Sequence, residues 1–472
     1  MVKMNALTKR ILTYVAGNMS SKLISTLLIP IYAYYVTTSD LGFYDYLIVL
    51  QNLIIPITFV NIWDAVLKFS MTEQHSKTRN IVFSNSIIVV LTGSIITLLI
   101  LCLMKINGFL KIKNYLFSFL LLITYGISMF YQYMCRAYQE SKLYAISSVV
   151  GSIINLLLIF FLVILLDLGY LGLIVAYTVS LFFIIIIIES SLKSYKYFDI
   201  QMISFSYIKR MLKLSFPLTI NAISLWLTTG ISKILVVQYI SIEANGIYSF
   251  ANRFATIINT ISSIIGMALI EEAYTYKTIS EYSSKFKSII TRLSRYYFSI
   301  IGLAVPLISI LFILFFFHTA YSESLALIPI FLVSAIISTL STIVGISFSV
   351  VDKTQYICVT SIIGALVNIT FGILLVDRFS YYGILAAQLV GNFVMLLSRA
   401  FFAYKYTGLS LKWNEFGVAF LVILALGLIS VRVNLLSNLI IAFISILIIL
   451  YVNRSDLFML QDMIKGRNKN VY

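Results

Sequence analysis

The sequence predicts an all-α polytopic membrane protein, and three observations carry that prediction. Hydrophobic residues make up 60% of the 472 and charged residues 11%, where a soluble domain carries about 25% charged residues. The apolar residues fall in continuous runs, each near the ~20 residues that cross a hydrocarbon core as a helix. Lysine and arginine are divided very unequally between alternate connecting segments.

The first observation sets the solvent. A chain with a mean hydropathy of +0.99 has too few polar groups to cover a folded surface in water, so lipid must cover it. The second sets the element type. Strands of a membrane barrel alternate apolar and polar residues over about ten positions, whereas these runs are apolar throughout, which selects helices. About fourteen runs (12–14 as full crossings) are predicted, at 11–36, 41–67, 81–104, 115–137, 144–166, 169–190, 212–240, 244–270, 293–318, 325–350, 355–376, 381–404, 414–432 and 435–452. The N-terminal MVKMNALTKR leads into the first run with no small-residue cleavage site, so span 1 is expected to remain.

The third observation sets orientation. With the N-terminus in the cytoplasm, the inner segments collect 26 basic residues, among them Arg399 in segment 399–412, and the outer segments collect 5. Both termini are therefore expected in the cytoplasm. The same bias accounts for most of the net charge of +16 and removes the argument for a nucleic-acid partner. Cys102, Cys135 and Cys358 lie in apolar runs without metal or redox spacing and read as small buried hydrophobes.

The two halves echo each other. DLGFY at 40–44 matches EANGIY at 243–248, with Gly42 opposite Gly246 and Tyr44 opposite Tyr248; GSIIN at 151–155 matches GALVN at 364–368. This predicts an N-terminal lobe of six helices over 1–190, a cytoplasmic linker at 191–211 and a C-terminal lobe of six helices over 212–404. Spans 13 and 14 (405–452) and a basic cytoplasmic tail (453–472) follow. An even number of crossings separates equivalent spans, so the repeat is parallel, an arrangement that places a substrate site where the halves meet. All five prolines (Pro30, Pro56, Pro217, Pro306 and Pro329) fall inside spans and are candidate kinks.

Ionisable residues at membrane depth are the informative ones, since each costs roughly 2.5 to 3.5 kcal/mol at the centre. Lys22 lies mid-span in span 1, Arg253 deep in span 8 and Lys233 toward the outer end of span 7. Asp45 is placed about one turn into span 2, within reach of Lys233, and Asp64 near the inner end of that span, where an i,i+4 pair with Lys68 is the plain reading. Three cations against two acids leave a positive excess that suits an anion, phosphate or pyrophosphate above all. Asp45 and Asp64 are candidates for pairing or for coupling to a proton or sodium gradient. Asn18, Asn221, Trp226, Tyr44 and Tyr248 are candidate cavity-lining residues, with helix packing and the interfacial aromatic belt as the plainer roles. No nucleotide-binding loop, metal-ligand spacing or catalytic cluster occurs, the two histidines being His75 and His318. The sequence points to no enzyme, no cofactor and no metal.

The stretch PIYAYYVTTSDLGFYDYLIVLQNLI and its counterpart SFPLTINAISLWLTTGISKILVVQYISIEANGIYSFANRFATII resemble the polysaccharide biosynthesis proteins. These are the Wzx-type lipid-linked oligosaccharide flippases of the multidrug/oligosaccharidyl-lipid/polysaccharide (MOP) exporter superfamily, and the resemblance extends over nearly the whole chain. It implies a two-lobed bundle with spans 1, 2, 7 and 8 around a cationic cavity, in the bacterial cytoplasmic (inner) membrane. It implies transfer of an undecaprenyl-pyrophosphate-linked O-antigen, capsule or related repeat unit to the outer leaflet by alternating access. Implied partners are that lipid-linked oligosaccharide, membrane lipids, and polysaccharide polymerase and chain-length regulator proteins. Span 2 lacks the deep basic residue of the peptidoglycan-precursor flippases, which points away from that subgroup. The competing readings are a multidrug/toxin cation antiporter of the same superfamily, which would want a deep acid, and a membrane-embedded polymerase or ligase, which would want a large outer loop.

Overall fold

The computed structural model describes residues 24, 26–72, 77–106, 114–273, 276, 278–411, 429–430 and 433–454. Among the described residues there is no strand, and nine helices are long and apolar enough to cross a membrane. Two compact units divide the chain, Met1–Ser249 and Phe250–Tyr472. Most of the predicted span 414–432 and of the basic tail lies outside the described residues.

In the first unit, α1 (Leu28–Tyr35) leads to α2 (Thr38–Thr58) and α3 (Ile62–Thr72). The Thr37 hydroxyl caps α2 by accepting from the Asp40 amide at 3.1 Å, which starts the helix three residues before the predicted 41. The predicted run 41–67 is not one helix. Pro56 removes a backbone donor in the last turn of α2, and Val60 and Asn61 take left-handed backbone angles (φ 50° and 44°) that break it. The break is fixed by packing: Phe59 is fully buried, and its ring occupies space that a Cβ at Gly126 would fill. Thr97 donates to the Thr58 hydroxyl at 2.9 Å beside it.

Four long helices complete this unit: α4 (Thr78–Ile106), α5 (Tyr115–Ala137), α6 (Ser141–Ile159, continued by a π-turn through Phe160–Leu165) and α7 (Gly169–Leu192). Helix α4 shows the inside-out logic of a lipid-bathed fold. Ser84, Asn85, Ser86, Gly93 and Thr97 are buried, while Leu91, Ile95 and Leu99, spaced four apart, are exposed. Small and weakly polar residues mediate contact between helices, and large aliphatics face the lipid. The expected linker 191–211 is shorter in the structure, because the next helix already begins at Phe205; residues 193–204 between the helices form two short 3₁₀ turns (Ser194–Tyr197 and Ile200–Met202) tied to α4. Asn85 donates to the Met202 carbonyl and accepts from the Ser204 amide, both at 2.8 Å. The Arg79 guanidinium lies 4.7 Å from the Tyr138 ring centre and donates to the Tyr197 hydroxyl at 3.2 Å. Helix α8 (Phe205–Tyr239) then packs on α2 and α3, and the first two turns of α9 (Ile242–Ala273) close the unit.

The second unit is built round α11 (Ile328–Val350), buried along almost its whole length between α10 (Ile279–Leu311, continued by a π-turn at Phe312–Phe316) and α12 (Gln355–Thr407). The last is two helices meeting at Ser380 (φ 51°, ψ −138°), in accord with separate spans 355–376 and 381–404. Helix α13 (Leu435–Val452) packs on α10. Arg399, which lies in the predicted span 381–404 and is counted with the inner segment 399–412, sits within α12 at 2% exposure. Its Nε donates to the Thr360 hydroxyl at 3.1 Å, and Nη2 donates to the Ser361 hydroxyl at 2.9 Å and, at 3.5 Å, toward the Ile357 carbonyl. Each hydroxyl donates onward to its own helix, Thr360 to Tyr356 O at 2.7 Å and Ser361 to Ile357 O at 2.8 Å. Both therefore present lone pairs to the guanidinium.

Candidate functional site

The site in the first unit begins with two glycines. A Cβ on Gly42 would collide with the Ile242 carbonyl, and one on Gly246 with the Thr38 carbonyl. Residue 242 precedes 246 by four as 38 precedes 42, so the contact is reciprocal, and it joins the positions that the internal repeat sets opposite each other. Only residues without a side chain allow the backbones of α2 and α9 to approach this closely. Asn245 Nδ2 donates to the Gly42 carbonyl at 2.8 Å and fixes the crossing.

One turn further along each helix, the next equivalent pair meets. Ser249 donates its hydroxyl to Asp45 Oδ2 at 2.6 Å. The same oxygen receives Lys233 Nζ from α8, also at 2.6 Å. Because α2 starts at Thr38, Asp45 lies two turns into it and not the expected one. The Lys233 and Asp45 side chains are 13% and 14% exposed, a pair shielded from solvent yet reachable. An ammonium has three donors, and among the described residues Asp45 is the sole hydrogen-bond partner of Lys233. Its two other donors meet no partner among the described residues. Below the pair, Trp226 Nε1 donates to the Val49 carbonyl at 2.9 Å and pins α8 to α2, with Gly230 leaving room for the indole.

Asp45 and Lys233 are thus brought together, and Trp226 of α8 ties the same two helices. Asn221 is half-buried on α8 and makes no hydrogen bond among the described residues. Tyr44 is turned into the unit, edge-on to Tyr177 of α7 with ring centres 6.3 Å apart, and Tyr248 is fully buried. Both are packed side chains. Asp64 lies on α3 past the break, where the charge it faces is Arg136 of α5. Arg253 is half-buried on α9, in the second unit. Lys22 and Asn18 lie outside the described residues. The sequence reading missed Ser249 and Asn245; the repeat offset that pairs Gly42 with Gly246 also pairs Asp45 with Ser249, and that signal was present.

The family described as polysaccharide biosynthesis protein matches residues 7–270, more than half of the chain. The chain belongs to that family. Among solved structures, it is similar over 94% of its length to lipid II flippase MurJ in an inward closed conformation, with a TM-score of 0.69 at 14% identity and 99% of that chain covered. An inward-facing multidrug-resistance MATE family transporter of the MOP superfamily aligns at a TM-score of 0.64 and 12% identity, covering 84% of this chain and 98% of that one. A MOP superfamily transporter from Pyrococcus furiosus, described by the reverse polarity of its binding pocket, aligns at 0.55 and 14% identity over 84% of this chain and 94% of its own. At these identities the likeness establishes the fold, a MurJ- and MATE-like helical architecture. No curated protein matches the sequence. Composition, helices and fold together make the chain a multi-pass membrane protein.

Proposed function

We propose that this protein is a flippase that carries a lipid-linked oligosaccharide across the bacterial cytoplasmic membrane by alternating access, its cations holding the lipid's pyrophosphate. The observation that carries this reading is membership of the polysaccharide biosynthesis family on a fold of the MurJ and MATE kind. The cargo is an undecaprenyl-pyrophosphate-linked repeat unit of O-antigen, capsule or a related surface polysaccharide, handed to a polymerase and its chain-length regulator on the far side. Lys22, Lys233 and Arg253 bind the pyrophosphate; Asn18, Asn221 and Trp226 face the sugars; the prenyl tail stays in lipid. The moving bodies are the lobes 1–190 and 212–404, with both termini in the cytoplasm. A basic excess at membrane depth supports an anionic cargo. The cation-antiporter reading needs a free deep carboxylate, and Asp45 is already engaged by Lys233.

The test is export in cells. Lys22→Ala and Arg253→Ala should each abolish surface polysaccharide while the protein still reaches the membrane, and lipid-linked repeat units should accumulate. Normal export by both variants would sink the site; accumulation of some other solute would sink the cargo.

A further inference from the structure

Asp45 is an unusual thing to find against a cation meant for an anionic ligand. It gives Lys233 a full counter-charge at 2.6 Å before any ligand arrives. If the pair were only structural, the economical construction would be a closed one. Instead the pair keeps some exposure, and two of the ammonium's donors meet no partner among the described residues. Asp45 also has an anchor independent of Lys233, since the Ser249 hydroxyl donates to the same oxygen at 2.6 Å. Ser249 is itself buried and set by the Gly42–Gly246 crossing. The carboxylate can therefore stay where it is when the ammonium leaves it. Lysine is suited to leaving, being a point charge on a flexible four-carbon stem.

We infer that Asp45 is an internal counter-anion, which holds Lys233 in the empty protein and competes with the ligand's phosphate for the same ammonium. This rests on the pyrophosphate-binding reading above and adds how the site lets go. Exchange of one oxyanion for another on Lys233 avoids a bare ammonium at membrane depth at every stage. It lowers apparent affinity by the fraction of time the pair is closed, and it returns Lys233 to Asp45 as the phosphate departs. Ser249 is a positioning residue here, keeping the carboxylate in place for that return.

The experiment is a double-mutant cycle on the full chain in lipid nanodiscs, with farnesyl pyrophosphate as the probe, comparing the native protein, Asp45→Asn, Lys233→Met and the double variant. Competition for Lys233 requires Asp45→Asn to bind roughly tenfold tighter, the scale of one charged hydrogen bond. It requires the same change to have less than about a twofold effect when Lys233 is already Met. Asp45→Asn should also slow flipping in proteoliposomes, because release is no longer assisted. An equal gain in both backgrounds would mean that Asp45 acts only as a nearby negative charge, and no gain would mean it does not compete; either result overturns the inference and leaves the pyrophosphate site standing. Undiminished binding by Lys233→Met would remove Lys233 from the site and overturn the inference, leaving the roles of Lys22 and Arg253 to the export test. The double variant replaces the ion pair by neutral groups, so its folding does not depend on an unpaired charge, and the sign of the Asp45→Asn effect is decided on the native background alone.

Discussion

Lys233 and Arg399 are both cations set among apolar helices, and the protein treats them in opposite ways. Lys233 has a carboxylate on one side and keeps some exposure. Arg399 is 2% exposed, has no carboxylate partner among the described residues, and is held through Nε and Nη2 by two hydroxyls and a carbonyl that belong to one turn of α12. The first is a charge that can be exchanged. The second is fixed, a planar fork joining the two arms of one broken helix. Depth alone, which is all that the spacing of a charge within an apolar run reveals, does not separate the two cases; the partners do.

The comparison is broken most severely at the backbone of the first region. Gly246→Ala would press a methyl group into the Thr38 carbonyl. A carbonyl in a helix cannot rotate away, so α2 and α9 must separate, and Ser249 would be drawn off Asp45. The expected loss is about 3 kcal/mol or more, at or beyond the upper end for overpacked sites. Purified Gly246→Ala should show a large fall in unfolding temperature or no monodisperse protein at all. Wild-type stability would mean that the crossing is looser than its geometry.

Arg399→Ala is next. It leaves a cavity between the two arms of α12, while Thr360 and Ser361 keep their bonds to their own helix. The expected loss is about 2 to 4 kcal/mol, read as thermal stability, with ligand affinity unchanged in protein that folds. Arg399→Lys should recover little, because an ammonium cannot reach two hydroxyls with the fixed geometry of a guanidinium. A variant that keeps its stability and loses binding would instead make Arg399 a ligand residue, and the contrast with Lys233 would collapse.

Much of this was legible beforehand, for physical reasons. Runs of apolar residues must be helices in lipid, so the fold class followed from the runs. The repeat placed Gly42 opposite Gly246, and in the structure those residues touch. The pairing of Lys233 with Asp45 was within reach of helix spacing. The break at Val60–Asn61 was not, because left-handed angles at a Val and an Asn leave no mark in an apolar run; what holds them is Phe59 fitting beside glycines far away in sequence. The burial of Arg399 was hidden for a related reason. Near the inner end of a run, a charge fits the membrane interface as well as the core, and only the hydroxyls of Thr360 and Ser361, nearly forty residues earlier, reveal that it is inside. Tyr44 was unreadable in the same way, since a tyrosine near a helix end fits the membrane interface as well as it fits the core.

The mildest change sharpens the comparison from the other side. Gly345 lies against Arg399, as Gly42 and Gly246 lie one turn from Asp45 and Ser249, yet the surroundings differ. A Cβ there would meet Arg399 Nη1 at 3.4 Å, an ordinary contact with a side-chain tip and not a collision with backbone. Gly345→Ala should therefore change stability by no more than about 0.5 kcal/mol, and the gain from replacing glycine in a helix interior, roughly 0.5 to 1 kcal/mol, pushes toward stabilisation. An unfolding temperature within a few degrees of the native protein is expected. If Gly345→Ala instead fell as far as Arg399→Ala, the guanidinium would be resting on the α11 backbone itself, and the hydroxyls of α12 would not be what holds it. Near-neutrality, set against collapse for Gly246→Ala, would show that the glycines of the first region are there for helix contact and that of the second is there for clearance.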